Sequence, residues 1–139
     1  MQRRISGFSG EEELVSFMCE PTDEVRTAVE ALNGEILVIG AGGKMGPTLC
    51  NLLIQAGAER VIAASRFTNL NQKRFLESCG ITTISVDLLD PQAILNLPRC
   101  PYVFNLAGYK FGAVGNQDLM WAMNAYLPSR IIQHFSESN

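Results

Sequence analysis

"ILVIGAGGKMGPTLCNLL", residues 36–53, passes from an unbroken apolar block through a cluster of glycines into a helical pattern. Ile36 to Ile39 carry no polar alternation, the mark of a strand buried on both faces. Met45, Leu49, Leu52, Leu53 and Ala56 then recur at helical spacing. Between the two, each glycine has a separate use. At Gly40 the chain must leave the strand sharply, which favours a residue tolerant of positive φ. Gly42 or Gly43 lets backbone approach a pyrophosphate with no Cβ in the way, and Gly46 permits close helix–strand packing. The first amides of the helix lack intrahelical acceptors and carry the positive end of its dipole, so an anion is stabilised there. Pro47 costs little in that first turn. The spacing reads Gly40-x-x-Gly43-x-x-Gly46, because Met45 stands three residues after Gly42 where a strict GxGxxG needs glycine. A P-loop does not fit: Val38 occupies its first glycine position, and Met45 follows Lys44 where Ser or Thr is required. A dinucleotide is the ligand this turn predicts.

Strands and helices alternate outward from this turn. Gly57 stops the first helix, "RVIAAS" (60–65) reads as a second strand, and "NQKRFLESCG" (71–80) as a helix with a glycine stop. "ITTISV" (81–86) is a third strand, and Asp90-Pro91 caps and opens a short helix. "YVFNLAG" (102–108) is a fourth strand, and Asn116 is expected to cap a long helix that Pro128 kinks or interrupts by removing a backbone donor. Such alternation predicts an α/β fold, a doubly wound parallel sheet in the order 3-2-1-4. Residues 1–34 form a helical arm beside the 35–139 domain. Ser9 and Glu12 have the spacing of a capping box opening a helix that runs to Met18, and "DEVRTAVEAL" (23–32) supplies a second helix stopped at Asn33-Gly34.

Bulk properties remove several function classes. A net charge of −3 with eleven scattered basic residues gives no footprint for nucleic acid. No apolar run reaches membrane-spanning length, and the first residues lack the apolar stretch of a signal peptide. Cys19, Cys50, Cys79 and Cys100 form no CxxC pair, so reduced thiols in the cytoplasm are expected rather than zinc or disulfides. The single histidine, His134, falls in the polar C-terminal stretch and reads as solvated.

"GAGGKMG", "VDLLD", "VFNLAG" and "MNAYLP", in this order and spacing, resemble the N-terminal half of an extended short-chain dehydrogenase/reductase, the NAD-dependent epimerase/dehydratase group acting on sugars and nucleotide sugars. The resemblance covers residues 35–137 and implies a Rossmann-like domain. It implies that Asp87 reaches the adenine with Leu88 beside it, that Ala107 and Gly108 lie along the ribose and nicotinamide, and that Asn124 helps organise the active site. The second strand bears on the choice of cofactor. A carboxylate about 20 residues past the glycines would bind the ribose of NAD. Ser65 and Arg66 stand there instead, and an arginine can form a fork with a 2′-phosphate. Lys44 in the turn and Lys110 after the fourth strand are further candidates to face phosphates. NADP is therefore favoured, with NAD as the alternative.

The resemblance also implies a catalytic tyrosine followed four residues later by lysine, and no such pair is present. Leu106 follows Tyr102 at that distance, Ala113 follows Tyr109 and Arg130 follows Tyr126. The sequence thus predicts the cofactor-binding half of an epimerase, dehydratase or reductase, inactive alone, with the catalytic half absent. A non-catalytic dinucleotide-binding or sensing module is the alternative, and a helical-arm interaction domain with a vestigial site a weaker third. Trp121, Met120 and Met123 read as core or interface. An open fourth strand, with Leu119, Met120, Met123 and Leu127 partly exposed, predicts a homo-oligomer.

Overall fold

The computed structural model describes residues 7–110 and 114–138. The chain runs α1 (Glu11–Met18), α2 (Asp23–Glu30), β1 (Glu35–Ile39), α3 (Gly46–Gln55), β2 (Arg60–Ser65), α4 (Leu70–Ser78), β3 (Thr82–Ser85), α5 (Pro91–Leu95), β4 (Tyr102–Asn105), α6 (Gln117–Trp121), a π-helical turn (Ala122–Tyr126) and α7 (Leu127–His134). The four strands make one parallel sheet in the order β3-β2-β1-β4, as the apolar strands require. In the register of the central strand, Leu37 pairs with Ile62 on one side and Val103 on the other.

Side chains of β1 and β2 alternate between two cores. Ile36, Val38, Val61 and Ala63 pack with Cys50 and Leu53 of α3 and Leu76 of α4. Leu37, Ile39, Ile62 and Ala64 pack with Ile94 of α5 and with Leu127 and Ile131 of α7. Truncating any of the large ones to alanine costs about 2–5 kcal/mol. The N-terminal helices belong to the first core: Val29 joins it. Cys19 is fully buried with its thiol directed at the Thr48 carbonyl, 3.7 Å away. Arg26 donates to the Gln55 carbonyl at 2.7 Å, so the arm grips α3 near both ends.

Several local expectations change. Ser9 pairs with Glu13 rather than Glu12: its amide and hydroxyl donate to the Glu13 carboxylate at 2.7 and 2.6 Å, and Gly10 occupies the N-cap. The box shifts because α1 starts one residue later than its spacing implied. Met45 precedes α3 as its N-cap and is 67% exposed, outside the apolar stripe it seemed to begin. Asn116 stands at the N-cap of α6, but its carbonyl accepts the Met120 amide while its side chain makes no capping bond.

Pro128 does interrupt the long helix, by widening it. The Leu127 amide donates to the Ala122 carbonyl five residues back, giving a π turn immediately before the proline, whose ring would crowd the carbonyl four residues earlier. Downstream, Leu127, Ile131 and His134 fall on one face of α7 and are all buried. Leu127 is only 1% exposed, against the partial exposure expected, and His134 only 8%, against the solvated reading. Amphipathic phase, rather than local polarity, sets their burial. Trp121 is 68% exposed and takes no part in either core.

All four cysteines are free, and Cys19, Cys50 and Cys100 are buried. Burial disfavours the thiolate and pushes Cys50 from 9.0 up to about 12. Above pH 9 the unfolded chain ionises at this thiol while the folded chain does not. The stabilisation is therefore complete below that pH and is lost as pH rises from 9.0 towards about 12. Melting temperature measured against pH is expected to fall less steeply over this window in Cys50→Ala than in the parent.

Candidate functional site

A cleft of about 210 Å³ opens at the C-terminal ends of the strands. It lies over the β1–β4 junction, where the strand order reverses and the crossovers diverge to opposite faces. Four loops line it: Gly40, Gly42 and Gly43 after β1, Ser65 to Thr68 after β2, Asp87 to Leu89 after β3, and Leu106 to Tyr109 after β4. Leu119 of α6 and Met123 of the π turn close one side.

The glycines are held to their type by contact. Gly40 has φ +80°, and a Cβ there would stand 2.5 Å from the Ala107 amide nitrogen, so β1 and β4 converge here without side chains between them. A Cβ on Gly42 would come within 2.6 Å of the Ser65 hydroxyl, and one on Gly46 would overlap the Ala41 backbone. Gly43 is looser, its nearest neighbour being the Gly40 carbonyl at 3.3 Å. The turn is tied to β2, since the Ala64 carbonyl accepts the amides of both Gly40 and Ala41, at 2.8 and 3.2 Å. Among the described residues no side chain caps the first amides of α3. An anion over the turn would meet those amides and the positive end of a ten-residue helix.

On the far wall, Asn124 fixes the loop after β4. Its carboxamide accepts the Tyr109 amide and donates to the Tyr109 carbonyl, both at 2.8 Å. The π turn places Asn124 at that height, and Gly108 leaves room: a Cβ there would lie 3.3 Å from the Asn124 oxygen. Asn105 accepts the Ala107 amide at 3.1 Å. Across the cleft Asp87 is exposed and accepts the Leu89 amide at 3.0 Å, while Leu88 is buried beneath it. No cluster of His, Cys, Asp and Glu fit to hold a metal occurs among the described residues.

Residues 36–139 match the NAD dependent epimerase/dehydratase family. The chain belongs to that family. It is 27% identical over 135 residues to a 2-alkyl-3-oxoalkanoate reductase from Shewanella oneidensis, covering 93% of this chain and 32% of that protein. Among solved structures, the WbmF enzyme of Bordetella bronchiseptica in complex with NAD+ and UDP matches with a TM-score of 0.67 at 16% identity, over 80% of this chain and 34% of that one. The epimerase Mth375 of Methanothermobacter thermautotrophicus matches with a TM-score of 0.64 at 23% identity, over 83% of this chain and 35% of its own. This epimerase/dehydratase-family chain thus spans about a third of the length of these relatives.

The structure brings together Gly40, Gly43, Ser65, Arg66, Asp87, Leu88, Ala107 and Gly108 around the cleft. Met45 and Gly46 support the turn from the helix side, and Asn124 acts on the wall through Tyr109. Lys44 and Lys110 are exposed and stand outside the lining. Phe67, which lines the cleft, was missed from the sequence. It is 4% exposed and holds φ +49°, a strained setting for an aromatic residue. Its one signal was an apolar residue in the otherwise polar loop after Ser65-Arg66.

Gly43→Val is expected to weaken dinucleotide binding about tenfold or more while shifting the melting temperature little, because its surroundings are the loosest of the turn. Calorimetric titration beside a thermal melt checks both. Asn124→Ala removes both bonds to Tyr109 and is expected to loosen that loop, seen as faster amide exchange at Tyr109.

Proposed function

We propose that this chain is the cofactor-binding part of an enzyme of the family that uses NADP in preference to NAD and acts on a sugar or nucleotide sugar. Residues outside this chain would complete the catalytic site. Arg66 carries the cofactor reading. It lies at the tip of β2 on the cleft wall, is exposed, and makes no ion pair among the described residues. The adjoining residues Ser65, Phe67 and Thr68 include no carboxylate to take a ribose 2′-hydroxyl. A guanidinium fork at that place suits a 2′-phosphate.

The glycine turn fits the pyrophosphate, since Cβ atoms at Gly40, Gly42 and Gly46 would fill the space that backbone now occupies. A bound nicotinamide dinucleotide would supply or accept a hydride. The chain's own part is to hold the pyrophosphate over the start of α3, to seat the adenine side between Arg66 and Asp87, and to fix the nicotinamide side through Ala107, Gly108 and the Asn124–Tyr109 pair. The UDP-glucuronic acid 4-epimerase of Bacillus cereus, a solved structure of similar fold, supports the sugar-type substrate. The identity to the Shewanella reductase, which extends over more of this chain, favours a second reading: reduction of a carbonyl in a non-sugar acid.

Calorimetric titration is expected to give tighter binding of NADPH than NADH. Arg66→Ala is expected to weaken NADPH about tenfold or more and leave NADH nearly unchanged. Equal affinities in the parent would remove the NADP assignment. Self-association would use β4, which pairs on one side with β1 and has no strand on its other edge among the described residues. Sedimentation velocity over a range of concentrations is expected to show dimers or larger species.

A further inference from the structure

On the sheet face away from α3 and α4, a second cavity of about 250 Å³ lies between α5 and the end of α7. Ile94 and Leu95 form one wall, and Arg99, Arg130, Gln133 and His134 form the other. Two nitrogens of these lining side chains are buried with no hydrogen-bond partner among the described residues, Arg130 Nε and His134 Nε2. His134 is 92% out of solvent, and its ring stands edge-on to Phe135 at 4.7 Å, so the imidazole is fixed in orientation. Arg130 and His134 are four residues apart on α7 and so share a face.

Among the described residues Arg99 and Arg130 are held by neutral acceptors alone. Arg99 donates to the His134 carbonyl at 2.9 Å, and Arg130 to the Gln133 side chain at 3.3 Å. Neither has a carboxylate partner among the described residues. Two permanent positive charges with spare donors, and a buried nitrogen with nothing to bind, make a site short of negative charge. Nothing in the dinucleotide cleft uses any of these residues.

We propose that this cavity binds the phosphoryl group of a small phosphomonoester. The two guanidinium groups balance a phosphate dianion, Arg130 Nε and His134 Nε2 supply N–H donors to its oxygens, and Ile94 and Leu95 receive an apolar substituent. A carboxylate carries one charge and would leave one arginine unbalanced.

His134 is the single histidine of the chain, so its imidazole NMR signal reports on this site alone. Inorganic phosphate and phenyl phosphate, titrated at constant ionic strength, are expected to shift that signal saturably, phenyl phosphate at lower concentration. Arg130→Gln and the exposed Arg99→Gln are each expected to weaken binding about tenfold or more. Lys73→Gln, on the opposite face of the sheet, is expected to change nothing. Circular dichroism checks that each variant is folded, and Arg99→Gln carries the test should Arg130→Gln fail to fold. A signal that does not move, that moves equally with chloride, or that titrates alike in the parent and both arginine variants overturns the proposal.

Discussion

Gly46 lies against the backbone of Ala41 so closely that one added methyl would overlap it, and the rest of the architecture hangs on that approach. It brings the start of α3 down onto the turn leaving β1. The helix can then bury Cys50 and Leu53 on the sheet, with its N-terminus beside the turn that lines the cleft. A second absence of side chain, at Gly40 against Ala107, lets the chain leaving β1 approach the chain leaving β4 at the cleft. Close packing and the shape of the cleft are thus obtained from the same glycines, and the conformational entropy they cost is met by the cores on both faces of the sheet.

The opposite wall is arranged by different means. Pro128 cannot donate to the turn before it, and the helix answers with a π turn instead of a break. That extra residue rotates Asn124 toward the loop after β4, where one carboxamide satisfies both backbone groups of Tyr109. A proline penalty in the helix and a fixed loop in the cleft are therefore two sides of one adjustment. Beyond it α7 resumes its amphipathic phase and carries Leu127, Ile131 and His134 into the second core.

Much of this was legible in the chain. The strand order followed from unbroken apolar blocks separated by helices, β2 has the bounds that its six residues suggest, and Asp90 caps α5 by accepting the Gln92 amide. These features depend on neighbours in sequence or on strong periodicity. The positions of Gly40 and Gly46 were legible for the same reason, because a sharp turn between strand and helix asks for glycine locally.

Other features depended on contacts far apart in sequence. Whether Arg66 lined a cleft, while Lys44 and Lys110 did not, rested on where three loops met. Phe67 was drawn inward by the hollow beside Gly42, and Asn124 found its partner fifteen residues away. The burial of His134 came from the phase of α7 against the sheet, which its polar neighbours concealed. The sequence by itself determined the alternation of elements, the glycine turn and the family, because these are written in short-range pattern. Only the tertiary structure decided which charges line the cleft and which polar atoms are left buried, because exposure is set by the packing of elements that no local pattern encodes.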